Sequence, residues 1–170
     1  MSQRNYLITY IVMVALQILI SNYFRLTPLM ILTLLPAIIL CLPDRVVTGG
    51  ALLIAFVTGL AVDWLSEGVI GLNTLALVPV AFVRKGVINL MFGTELSDRH
   101  ETFSIRKHGL GKVSFALLMV QSLFLIIYIW ADGAGLRSTS FNLIRFSLSL
   151  LTGYLLSLLI VDIAAPDERK

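Results

Sequence analysis

Two charged residues stand inside long apolar segments of this sequence, and they are the first candidates for chemistry. Asp63 lies in GLAVDWLSEGVIGLNTLAL, and Arg145 interrupts the otherwise uncharged stretch 138–161. A charge in hydrocarbon is costly unless it is paired or reaches water. We therefore predict an Asp63–Arg145 ion pair. Two alternatives stay open: Asp63 is an acid at the water boundary without a partner, and the Arg145 side chain extends to the lipid headgroups.

A stripe of small residues leads up to the acid. Ala51, Ala55 and Gly59 are spaced four residues apart, so they share one face of a helix, and Asp63 is the next position on that face. Small side chains let two membrane helices approach closely. We predict that this face packs against protein, in a structural or a partner-contacting role.

The sequence has no arrangement typical of catalysis or of a cofactor site. His100 and His108 lie in a polar segment without acidic or cysteine ligands at zinc spacing. No G-x-S-x-G elbow or phosphate-binding glycine loop occurs. Cys41, the single cysteine, fits a small apolar filler. We predict a protein that is not an enzyme and that uses no metal or cofactor.

The composition predicts the elements that position these residues. Hydrophobic residues make up 58% of the 170 and charged residues 14%, whereas a soluble domain carries about 25% charged residues. The apolar stretches are continuous and approach the roughly 20 residues that a membrane-spanning helix needs. We predict one all-α integral membrane domain over residues 1–170. Its six transmembrane helices are expected near 6–24, 27–43, 46–65, 70–90, 113–131 and 139–163, with a polar loop over 93–112.

Lysine and arginine predict the orientation of these helices. With six spans, ten of the 13 basic residues fall on the side of the termini and two on the other, while Arg145 lies within a span. Both termini and the loop 93–112 are therefore predicted to be cytoplasmic. The same bias accounts for the net charge of +3, so that charge does not indicate nucleic-acid binding. The partner that the composition predicts is the lipid bilayer, and Arg84, near the inner end of the fourth helix, is expected to anchor to its phosphates rather than to pair with Asp162.

The chain resembles the rod shape-determining protein MreD family over nearly its whole length. The resemblance covers size, six hydrophobic spans, cytoplasmic termini and a longer loop between helices four and five. Its most specific part is a Gly-Leu-x-x-Asp helix end followed by Gly-Leu, which here is Gly59, Leu60, Asp63, Gly71 and Leu72. The resemblance adds Gly71 to Ala51, Ala55, Gly59, Asp63 and Arg145 as structural or partner-contacting candidates.

This resemblance implies a non-catalytic scaffold of the bacterial cell-elongation machinery in the inner membrane. Family members associate with the bitopic protein MreC, and through it with MreB filaments, the glycosyltransferase RodA and its penicillin-binding transpeptidase. The family is also similar in fold to the substrate-binding subunits of energy-coupling-factor vitamin transporters, which supplies an alternative function. The short outer loops favour the scaffold, because they offer little chain to close over a ligand.

Overall fold

The computed structural model describes residues 3–24, 29–43, 45–67, 69–93, 109–133 and 136–164. These residues are all-helical apart from turns and one irregular segment, and none of them is in a strand. Most of the predicted loop 93–112, with His100 and His108, lies outside the described residues. The helices are α1 Gln3–Tyr23, α2 Leu35–Leu40, α3 Thr48–Val62, α4 Leu72–Phe92, α5 Leu110–Gly133 and α6 Thr139–Ala164. A π-helical turn, Asp63–Glu67, continues α3.

Among the described residues, four helices are long and apolar enough to cross a membrane. They are Thr48–Ser66, Leu72–Phe92, Leu110–Gly133 and Thr139–Val161. The apolar part of α1, Leu7–Tyr23, is shorter. The chain is therefore a multi-pass helical membrane protein, as the composition predicts.

The second predicted helix differs most from the expectation. Instead of one helix over 27–43, residues 29–34 are irregular and only Leu35–Leu40 is helical. Pro36 explains the break, because it lies in the first turn of α2, where its missing N–H costs nothing. Its ring would clash with the carbonyl of Leu32 if the helix continued toward the N-terminus. All six residues of α2 are buried, and α1, α4, α5 and α6 all contact this helix.

A contact between two helix ends shows how α1 and α3 run relative to each other. The Asn22 side chain donates to the carbonyl of Leu65 at 3.1 Å, so α1 and α3 end at the same end of the bundle. The chain between them must return across the bundle. The irregular segment 29–34, at up to ~3.3 Å per residue, and α2, at 1.5 Å per residue, together reach about 29 Å. That length is close to the ~30 Å of a bilayer core.

Candidate functional site

The Asp63 carboxylate caps the N-terminus of α4. It is fully buried and accepts five hydrogen bonds of 2.8–3.2 Å. Three come from the backbone N–H groups of Gly71, Asn73 and Thr74, and two from the side chains of Asn73 and Thr74. The first N–H groups of a helix have no partner within that helix, and a negative charge there is also favoured by the helix dipole. The first residue of the π-helical turn that follows α3 thus supplies the cap that α4 lacks.

Gly59 and Gly71 make this capping possible. A Cβ on Gly59 would lie 2.6–2.9 Å from the Cα, N and Oγ1 atoms of Thr74, so only glycine lets the start of α4 come this close. Gly71 precedes α4 with a φ of 99°, a left-handed conformation that favours glycine. The residues 59, 63 and 71 therefore form one structural unit, which we call the α3–α4 capping unit.

The small-residue stripe packs inside the protein. Ala51 and Ala55 are buried at 1% and 0% exposure, in the same hydrophobic cluster as Ala76, Val80 and Ala81 of α4. Gly59, one turn further along the stripe, is buried against Thr74. Of the two roles predicted for this face, the geometry favours the structural one, because α4 of the same chain covers it.

Arg145 does not pair with Asp63, so the first hypothesis about this pair is wrong. The Nη1 atom of Arg145 donates to the Asp132 carboxylate at the end of α5, while Asp63 is occupied by the start of α4. The sequence prediction ended the fifth helix at residue 131 and left Asp132 in a loop. Because α5 continues to Gly133, Asp132 lies in its last turn beside α6. Arg145 is 8% exposed, so it is not a snorkelling side chain either.

Arg137 joins the same carboxylate from the exposed side. Its Nη1 atom lies 2.8 Å from the Oδ2 atom of Asp132, which also accepts from Arg145. The guanidinium of Arg137 stands 5.7 Å from the centre of the Phe141 ring, a cation–π distance. We call Asp132, Arg137 and Arg145 the α5–α6 charge cluster.

Side chains from other helices satisfy the backbone of the irregular segment 29–34. Gln17 of α1 accepts from the N–H of Leu34 at 2.6 Å and donates to the carbonyl of Leu32 at 3.2 Å. Ser149 of α6 accepts from the N–H of Ile31 at 2.9 Å. Non-helical backbone at membrane depth is tolerated only where protein or water satisfies it. Gln17 and Ser149, which lie on opposite sides of the segment in the sequence, satisfy three of its backbone groups in this way.

The sequence analysis did not predict that side chains of other helices support residues 29–34, although the spacing of polar and small residues on α6 indicates it. Arg145, Ser149, Gly153 and Ser157 are spaced four residues apart, so they form a polar and small face of α6. Gln121 of α5 approaches Gly153 closely and donates to the carbonyl of Thr33 at 3.4 Å. Ser149 and Gly153 of this face lie against the irregular segment, whereas Arg145 bonds to Asp132 of α5.

The expected role of Arg84, anchoring to lipid phosphates, is also wrong. Arg84 is 1% exposed. Its guanidinium donates to the carbonyl oxygens of Leu40, at 3.4 Å, and Leu42, at the end of α2. A cation at a helix C-terminus is favoured by the unpaired carbonyls and by the dipole. The short helix α2 is thus held by Gln17 at its start and by Arg84 at its end.

Among the residues that the structure describes, the buried charged side chains of this region cap helices or tie them together. Asp63 has its oxygens turned to five donors. Within the described ranges, no group of three or more His, Cys, Asp or Glu side chains could hold a metal ion. Comparison of the chain with protein-family models, with curated proteins and with solved structures finds no match.

Proposed function

We propose that this chain is a non-catalytic membrane scaffold of the bacterial cell-elongation machinery, acting in peptidoglycan synthesis and rod shape. The observation that carries the proposal is the α3–α4 capping unit. Gly59, Asp63 and Gly71 are the residues on which the resemblance to the MreD family rests, and each has a defined geometric role in this unit. The motif of two glycines and an aspartate therefore corresponds to one tertiary arrangement, the capping of α4 by Asp63.

The membrane orientation in this proposal places both termini in the cytoplasm of a bacterial cell. Four helices long enough to span a membrane support it. With α1 and the chain over 29–40 as two further crossings the number is even, which returns the chain to its starting side. The excess of basic residues, ten against two, supports the cytoplasmic assignment of that side.

We also propose that the chain is not an enzyme, and the partners of its buried charged side chains support this. Asp63 caps α4, Arg84 caps α2, and Arg145 is paired with Asp132. A general acid or base needs a free position toward a substrate. These three groups are instead directed at the backbone or at a counter-charge within the chain.

The proposed partners are MreC directly, and MreB, RodA and its penicillin-binding transpeptidase through MreC. Because α4 covers the stripe of Ala51, Ala55 and Gly59, we place the MreC contact on another surface of the chain. The stripe then contributes indirectly, by fixing how α3 and α4 present their outer faces.

Two experiments in the source cell test the proposal together. Depletion of the chain is expected to turn rod-shaped cells round, whereas cells that remain rods contradict the elongation role. Purification of the tagged chain in mild detergent, followed by mass spectrometry, is expected to recover an MreC-like protein with RodA and the transpeptidase. The same tag on an unrelated multi-pass protein is the control.

The purification also tests the alternative of a vitamin-transporter subunit. In that case ATPase and coupling subunits would co-purify with a bound small molecule. That result, together with rods that survive depletion, would replace the scaffold by a substrate receptor.

A further inference from the structure

The α5–α6 charge cluster contains more positive than negative charge. One carboxylate, Asp132, accepts from two guanidinium groups, Arg137 and Arg145, through the same oxygen. The three side chains together carry one net positive charge. Asp132 is 22% exposed and the Arg137 side chain 40%, whereas the Arg145 side chain is 10% exposed. The Arg145 end of the cluster is therefore buried, and the Arg137 end is exposed.

The cluster lies where two membrane spans end. Leu110–Gly133 and Thr139–Val161 are both long enough to cross, and the cluster joins the last turn of the first to the start of the second. Trp130 and Leu136, at 76% and 91% exposure, flank it. Exposed tryptophan at the end of a span is typical of the headgroup level of a bilayer.

Two further features favour an anion here. Helix α6 begins at Thr139, so its dipole adds partial positive charge at this end. Arg145 lies six residues into α6, about 9 Å along its axis, and it shares its counter-charge, the Asp132 carboxylate, with Arg137. Among the described residues, the Nε atom of Arg145 has no hydrogen-bond partner.

We propose that the α5–α6 charge cluster binds the phosphate of an anionic phospholipid headgroup. A guanidinium fork matches the geometry of phosphate oxygens, and the Phe141 ring lies 5.7 Å from the Arg137 guanidinium. The exposed apolar side chains around the cluster suit the attached acyl chains. An anionic lipid is preferred over a zwitterionic one, because only the anionic headgroup removes the excess charge. This site is independent of the proposed scaffold function.

The experiment uses Trp130 as a reporter beside the cluster. The full chain with Trp64→Phe is reconstituted in phosphatidylcholine vesicles containing increasing fractions of bromine-labelled phosphatidylglycerol, which quenches tryptophan on contact. We expect more quenching at Trp130 than the bulk lipid fraction gives, and Arg137→Gln is expected to reduce the preference roughly tenfold, since one charge-assisted hydrogen bond is lost. Arg45→Gln, an exposed arginine in another part of the chain, is the matched control and should leave the preference unchanged.

A second reporter separates a site from general attraction to a basic protein. In the chain with Trp130→Phe, Trp64 reports from the end of α3, where it is 79% exposed. Equal enrichment at both tryptophans overturns the proposal, as does an Arg137→Gln chain that keeps its preference. Displacement of the labelled lipid by millimolar inorganic phosphate would show a site for free phosphate and would overturn the lipid assignment. Arg137 is exposed, so its variant is expected to fold, and helical circular dichroism checks this.

Discussion

The Cα atom of Thr74 occupies the space in which residue 59 would carry its side chain. A Cβ on Gly59 would be 2.6 Å from that atom, and the obstacle is backbone rather than a movable side-chain end. We expect Gly59→Ala to lower the free energy of unfolding by about 1–3 kcal/mol, the range for overpacking. Unfolding of the purified chain by SDS in mixed micelles measures the change.

The matched control for this substitution is Gly86→Ala. Gly86 lies inside α4, a Cβ added to it would meet no atom within 4 Å, and its φ is not positive. Alanine favours a helix by nearly 1 kcal/mol over glycine, so this variant should be neutral or more stable. Equal losses for both variants would mean that helix packing at residue 59 is not tight.

Removing the cap should cost more than removing any one of its donors. Asp63→Ala leaves the N–H groups of Gly71, Asn73 and Thr74 without their acceptor. We expect a loss of at least about 3 kcal/mol, because buried donors of a charge-assisted network lose their partner together. Thr74→Val removes a single hydroxyl donor to the carboxylate and should cost about 1.5–3 kcal/mol. The two variants are compared in the same micellar titration, and a larger effect of Thr74→Val would contradict the capping role.

The charge cluster predicts non-additive substitutions. Asp132→Asn leaves Arg145 without its counter-charge at 8% exposure, so it should destabilise strongly. The double variant Asp132→Asn/Arg145→Gln strands no charge and should be less destabilised than the sum of the two single variants. A double-mutant cycle with the four proteins measures this coupling. The corresponding cycle for Asp63 and Arg145, which do not pair, should show a much smaller coupling.

Two serines of α6 test the support of the irregular segment. Ser149 accepts from the N–H of Ile31 and is fully buried, whereas the exposed Ser147 bonds to the carbonyl of Leu143 in its own helix. We expect Ser149→Ala to cost about 1–3 kcal/mol, since it leaves a buried donor unpaired. Ser147→Ala should change stability little. Thermal unfolding of both variants in detergent separates these outcomes, and similar melting temperatures would argue against the role of Ser149.

Much of the helical architecture can be predicted from the composition and from the lengths of the apolar stretches, because the hydrocarbon core of a bilayer admits few backbone conformations. The spans over Leu72–Phe92 and Leu110–Gly133 lie close to the predicted 70–90 and 113–131. The helix break at 29–34 is harder to predict from the sequence. Its sequence is as apolar as a helix, and the groups that satisfy its backbone, Gln17 and Ser149, come from distant parts of the chain.

The candidate site could likewise be predicted from the sequence only in part. The four-residue spacing predicts that Ala51, Ala55 and Gly59 share a packed face, since helix periodicity is local. The partner of Asp63 is eight to eleven residues away, across a turn, and a helix N-terminus carries no distinctive side chain that marks it as the partner of an acid. Charge complementarity and a predicted position in the same outer half of the membrane favoured Arg145. Asp132 was not predicted as a partner, because the fifth helix was predicted to end at residue 131, two residues before its end at Gly133.

The irregular segment 29–34 has a consequence for biogenesis. Four of its backbone groups bond to side chains of α1, α5 and α6, and α5 and α6 are synthesised long after this segment. A chain that enters the bilayer from the ribosome must keep these N–H and C=O groups satisfied in the meantime. We therefore expect this segment to reach its native form only after α5 and α6 have inserted and packed against it, so that its insertion and its tertiary folding are coupled.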